Sequence, residues 1–219
     1  MLTIYTHRTS HRLTYTFNVI FNSILGIEYT ITSDADRFKK IENAKISYAE
    51  KQVGDELFFR SSELLFEMGI NASSSILLLQ EREMENPRDI FGLAFFIISR
   101  YEEYLPFTAD HYGRFSAKQS IAYKNNFLQK PVVNIWAKKI QKMISARYPD
   151  FTFPEKKYCY TPTIDIDNGY AYLGKGLTRT IGGYARALAK LDIDDLSRRK
   201  NVLSGKEKDP YDTYDFQME

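Results

Sequence analysis

Residues 1–32 read MLTIYTHRTSHRLTYTFNVIFNSILGIEYTIT, and this stretch decides the fold class. Leu2-Thr3-Ile4-Tyr5 is a short strand. From Arg8 to Leu25, the apolar residues Leu13, Phe17, Ile20, Phe21 and Ile24 recur at helical spacing. Gly26 follows as a C-cap. Ile27-Glu28-Tyr29-Thr30-Ile31-Thr32 then alternates with the period of a strand. Strand and helix signals in alternation predict α/β layers rather than a bundle or a sandwich.

The pattern continues downstream. Lys45-Ile46-Ser47-Tyr48 and Glu56-Leu57-Phe58-Phe59 are further strands, with turn chemistry at Val53-Gly54-Asp55 before the second. Ser61 to Gly69 is a short apolar helix or turn. Ser75-Ile76-Leu77-Leu78-Leu79-Gln80 is an apolar run with the length of a buried strand. Asp89 to Leu105 is the strongest helix, apolar around most of its circumference and stopped by Pro106. Val132 to Tyr148 is a second clear helix, with Val133, Trp136, Ile140, Met143 and Ile144 on one face. Lys138, Lys139 and Lys142 form its solvated face. Pro149 and Pro154 punctuate the chain and place a domain boundary there. The expectation is an α/β domain with a mixed sheet and flanking helices over residues 1–153, and a separate segment over 154–219. In that segment Ile181 to Leu191 is helical, Asp194 to Lys200 is polar and charged, and Lys206 to Asp215 is a hydrophilic loop.

Bulk composition narrows the function classes. The chain has 219 residues, 43% of them hydrophobic and 26% charged, as in an ordinary globular protein. A formal charge of +2 gives no global electrostatic case for nucleic acid or an anionic membrane. The aromatic content, 15%, is high enough to line a stacking surface as well as a core. Cys159 is the single cysteine, so no internal disulfide and no cysteine metal cluster can form. No signal peptide and no apolar run long enough for a transmembrane helix is visible, so the expected location is cytoplasmic.

The stretch that carries chemistry is Tyr160-Thr161-Pro162-Thr163-Ile164-Asp165-Ile166-Asp167-Asn168. As a strand it puts Thr161, Thr163, Asp165 and Asp167 on one face. Residues i and i+2 lie roughly 6.5–7 Å apart along a strand. Two carboxylates so placed can converge on one cation or one water, and they repel unless something neutralises them. The plainer alternative is a polar strand exit whose second Asp caps a helix.

Other candidates carry less. His7 and His11 are four apart near a helix start, but no Glu completes a helical zinc pattern, so turn histidines are expected. His111 lies in a turn. Gly174-Lys175-Gly176 lacks phosphate-loop spacing. Glu102 and Glu103 are adjacent on a helix and point about 100° apart, which suits a salt bridge better than an acid pair. Arg198-Arg199-Lys200 is a solvated cationic run by default. No serine elbow and no dinucleotide fingerprint occurs.

Three stretches together resemble a known family. They are Asp89-Ile90-Phe91-Gly92-Leu93-Ala94-Phe95-Phe96 running into Ser99-Arg100-Tyr101-Glu102-Glu103-Tyr104-Leu105; Asp110-His111-Tyr112-Gly113-Arg114-Phe115; and Phe127-Leu128-Gln129-Lys130-Pro131-Val132-Val133 with Trp136. They are similar to the uncharacterised domain that precedes a polysaccharide deacetylase domain in certain bacterial proteins. The Thr163–Asp167 segment and Asp209-Pro210-Tyr211-Asp212-Thr213 look like the opening of the deacetylase domain itself.

The resemblance implies a distorted (β/α) barrel that removes acetyl groups from a carbohydrate with a divalent metal such as zinc. That family's first motif is usually Thr-Phe-Asp-Asp. Thr163 and Asp165 match its Thr and its general base, and Asp167, displaced by Ile166, stands where the metal ligand would be. The barrel needs on the order of 200 residues, so only its first strand and helix are expected here. Histidine ligands would lie beyond Glu219, and this chain alone would be silent. The alternative is a non-catalytic module that binds a glycan or a protein.

Overall fold

The computed structural model describes residues 1–71 and 87–217. The expected strand at Ser75–Gln80 lies outside them. The chain divides into two compact units, Met1–Lys157 and Tyr158–Glu219.

In the first unit, strand β1 (Leu2–Tyr5) leads into helix α1 (His11–Phe17), which runs on as a π-helical turn, Asn18–Ile24. The Ser10 hydroxyl caps α1 by accepting from the Leu13 N–H. The wider turn closes through Leu25 N–H to the Ile20 carbonyl, five residues back, at 3.0 Å. Phe17, Ile20 and Phe21 are fully buried along it. Gly26 ends the segment at φ +70°, the left-handed conformation expected of a C-cap glycine.

Strand β2 (Tyr29–Thr32), helix α2 (Ala35–Lys39), strand β3 (Lys45–Ala49) and strand β4 (Leu57–Arg60) follow. The sheet order is β2-β1-β3-β4, and every pairing is parallel. The expectation of a mixed sheet is therefore corrected. Short alternating strands encode a buried face but not a direction. Direction is set by the connections, and α1 and α2 return the chain to the starting edge each time. Between β3 and β4 the return is made by irregular chain, Glu50–Glu56, with Glu56 as its brace. Its carboxylate accepts from the Ser47 hydroxyl and from the N–H groups of Val53 (3.0 Å) and Gly54 (2.7 Å). Burial raises this carboxyl, but those hydrogen bonds outweigh it and hold it below the usual range.

After β4 come a 3₁₀ turn (Leu64–Phe66), helix α3 (Ile90–Ile98), a second 3₁₀ turn (Tyr101–Tyr104), helix α4 (Ile121–Lys124) and helix α5 (Val132–Arg147). The predicted helix to Leu105 stops early because Arg100 takes φ +55° and redirects the chain. Seven consecutive residues of α3, Ile90 to Phe96, are buried. They join Phe17, Tyr48 and Trp136 in one core. Phe151 and Phe153 pack on the same core, which carries the first unit past Pro149.

The second unit holds helices α6 (Leu177–Ala189), α7 (Ile193–Leu203) and α8 (Tyr214–Gln217), and no strand among the described residues. Among the described residues no barrel is formed, and the expected first barrel strand is absent. The polar stretch Asp194–Lys200 is helical, capped by the Asp192 carboxylate accepting from Asp195 N–H at 3.0 Å. Among the described residues, no helix is long and apolar enough to cross a membrane.

Candidate functional site

In a parallel sheet of this order, β1 and β3 leave in opposite directions, and the crevice beyond their carboxyl ends is the usual ligand position. Tyr5, Thr6, His7 and Arg8 reach it from β1, and Tyr48 and Ala49 from β3. The chain's own segment covers this place. The Phe66 ring stacks on Tyr48 with centroids 5.9 Å apart and meets His7 in a tilted contact at 4.3 Å. Arg8 Nη2 donates to the Phe66 carbonyl (3.3 Å) and Arg12 Nη1 to the Leu64 carbonyl (3.0 Å); Ser10 Oγ donates to the Leu65 carbonyl. Glu63, at φ +70°, turns the chain there, with its carboxylate 3.7 Å from His7 Nε2 and 3.6 Å from Arg8 Nη2.

Beneath this cover lies a buried polar network. Asp89, the N-cap of α3, accepts from Tyr48 Oη, Ser62 N–H (2.8 Å), Ser62 Oγ (2.6 Å) and Gly92 N–H (2.7 Å). Burial pushes the Asp89 carboxyl up, against the pull of Ser62 and Gly92. Burial, and then the nearby Asp89, lift the Tyr48 phenol well above its ordinary value. The Tyr48 and Ser62 bonds tie β3 and the chain just after β4 to the start of α3. Asp89 is legible in the sequence as a first-turn acid, but its partners are not.

The other quoted stretches also resolve into structure. Asp110 Oδ1 accepts from Tyr112 N–H (2.8 Å) and Arg114 N–H (2.9 Å), closing a tight turn in which His111 stacks on Tyr112. Arg100 pairs with Glu103, and Glu102 accepts from Ile121 N–H at 2.8 Å. The two glutamates therefore serve different partners. His11 is an exposed first-turn residue of α1.

The segment with the two aspartates is not a strand. Residues 152–166 have no regular structure, and Thr163, Ile164, Asp165, Ile166 and Asp167 are all exposed. A strand exists by pairing, and the described residues of the second unit include no strand to pair with; Pro162 removes a donor besides. Without the ladder, nothing holds Asp165 and Asp167 to one face. Among the described residues, no group of three or more His, Cys, Asp and Glu is placed to hold a metal ion.

What the second unit does bring together is the chain just after Asp167 and the Asp209–Thr213 stretch. Asp209 is almost fully buried. Its carboxylate accepts four backbone N–H bonds, from Ala171 (2.8 Å), Tyr172 (2.8 Å), Leu173 (3.1 Å) and Tyr211 (3.0 Å). Burial opposes its charge, yet the four donors win and lower its pKa to about 2. Tyr214 Oη donates to the Gly169 carbonyl at 2.7 Å. Nothing local in the sequence marks Asp209 as this hub.

No curated protein and no solved structure matches the chain. One family does, over residues 2–149, a span that lies within the first unit. The chain thus belongs to the Family of unknown function (DUF7033).

Proposed function

We propose that the chain is the N-terminal portion of a polysaccharide deacetylase-like hydrolase. In this reading residues 1–153 are an accessory domain and residues 154–219 open the catalytic domain. The observation that carries it is the tether in the second unit. Asp209 and Tyr214 fasten Gly169–Leu173, so the Asp209–Thr213 stretch is tied to the chain just after Asp167. In an intact parent, Asp165 would take the proton of the attacking water and Asp167 would contribute one donor to a divalent metal. A protein zinc site needs at least about three side-chain donors. The described residues do not make such a set, and this chain alone is expected to be silent.

The test is deacetylation of acetylated amino sugars with added divalent metal. This chain should release no acetate, whereas an intact parent should, and its Asp165→Asn variant should not. Robust turnover by this chain, or an intact parent indifferent to Asp165→Asn, overturns the reading. The alternative, a non-catalytic module for a glycan or a protein, is favoured for residues 1–153 by one observation: the usual ligand crevice of the sheet is covered by Leu64–Phe66.

A further inference from the structure

The second unit contains a recess of about 500 Å³. It opens between the chain after Asp167, helix α7 and the Pro210-Tyr211 corner. Its chemistry comes from Asn168, Tyr172, Lys175, Asp195, Arg198 and Tyr211. Asp209 fixes two of its walls at once, because its carboxylate holds the N–H groups of both Tyr172 and Tyr211.

Behind the wall formed by Tyr172 and Asp195, side chains pair with one another. The Arg199 guanidinium lies between the rings of Tyr172 (4.7 Å) and Tyr184 (5.5 Å). The Asp195 carboxylate accepts from Tyr172 Oη at 2.7 Å and meets Arg199 Nη2 at 3.3 Å. Asp195 is thus already spent on internal partners. The two cations at the mouth are less committed. Lys175 has no hydrogen bond or ion pair to its ammonium among the described residues. Arg198 lies within electrostatic range of Asp195, and its ion pair, an exposed 3.8 Å contact with Glu207, is of a kind worth about 0–1 kcal/mol. Tyr211 is 55% exposed.

An exposed tyrosine, one unpaired lysine, one weakly paired arginine and an amide are the parts needed to hold a sugar ring and an acid on it. We infer that this recess binds a glycan unit bearing a carboxylate, such as a uronic acid, with the sugar on Tyr211 and the carboxylate on Lys175 and Arg198. The choice of a glycan rests on the function proposed above; the preference for an acid rests on the recess alone.

Calorimetric titration of the chain tests it, with hyaluronan tetrasaccharide as the uronate probe and chitotetraose as the neutral one. The uronate probe should bind at least about tenfold more tightly, the equivalent of one charge-assisted hydrogen bond. Lys175→Ala with Arg198→Ala should abolish that difference, and added salt should shrink it. Tyr211→Ala should weaken both probes. It keeps the backbone N–H that Asp209 holds, and the melting curve of each variant reports its folding. Failure of the uronate probe to bind overturns the inference. So does equal binding of the two probes, or binding unchanged in folded variants. Neither turnover nor added metal is needed, so this outcome is separable from that of the deacetylation assay.

Discussion

Tyr48 donates its phenolic hydrogen to Asp89, whose two carboxylate oxygens lie 3.1 and 2.9 Å from the phenol oxygen. Both residues are buried, and the bond joins the end of β3 to the start of α3. Tyr48→Phe leaves a buried carboxylate one donor short, which costs about 1–3 kcal/mol. Trp136, the single tryptophan and 1% exposed, reports the loss. Its fluorescence in urea should show a lower midpoint with an unchanged slope. An unchanged midpoint would mean the bond contributes nothing.

The pH dependence of Asp89 has a definite sign. Burial raises its pKa on folding. Its contribution is then fully present below the unfolded value of about 4 and is lost as pH rises through the folded value. Asp89→Asn removes that slope, although its amide NH₂ must face donors and lowers stability at every pH. Urea midpoints between about pH 4 and 7, read for both proteins, check this. An identical slope in the variant refutes it.

Asp209 behaves oppositely. Its folded pKa, about 2, lies below the unfolded value. Its stabilisation is therefore present above about pH 4 and drains away as pH falls towards 2. Amide exchange at Ala171, Tyr172, Leu173 and Tyr211, corrected for intrinsic rates, should accelerate across that window. Asp209→Asn should show the acceleration already at neutral pH.

Gly92 sits inside α3, where alanine ordinarily gains about 1 kcal/mol. Here the sign should reverse. A Cβ at this position would lie 2.3 Å from Asp89 Oδ2, the oxygen that also receives Tyr48 and Ser62. Gly92→Ala should lower the Trp136 midpoint rather than raise it.

Arg12 lays its guanidinium over Phe95 (5.3 Å) and Tyr101 (5.4 Å) while donating to the Leu64 and Gly69 carbonyls. Lysine keeps the charge but not the planar fork. Arg12→Lys should therefore speed proteolysis and amide exchange within 64–70. Exchange matching the parent would show that the charge alone suffices.

How much of this was legible follows from the range of each interaction. The four strands lie close to where alternation placed them, and Gly26 ends the first helical segment, because those signals are local. The parallel direction of the sheet was not legible, since it depends on how whole connections pack. The strand read at Tyr160–Asn168 failed for a related reason. Its alternation is real, but a ladder needs a second chain segment at hydrogen-bonding distance. The helix at Ile193–Leu203 was announced by Asp192 three residues before Asp195, yet its polarity hid it. The Asp89 and Asp209 networks draw on partners 41 and 38 residues away, and no spacing rule reaches that far.

Leu64, Leu65 and Phe66 lie at most 5% exposed over the ends of β1 and β3. Vacating that position would return three large apolar side chains to water, at about 5–9 kcal/mol by the usual burial scale. That sum rivals the entire free energy holding a typical domain folded. That end of the sheet is therefore stoppered like a flask, and a molecule recognised there would first have to displace the chain's own plug.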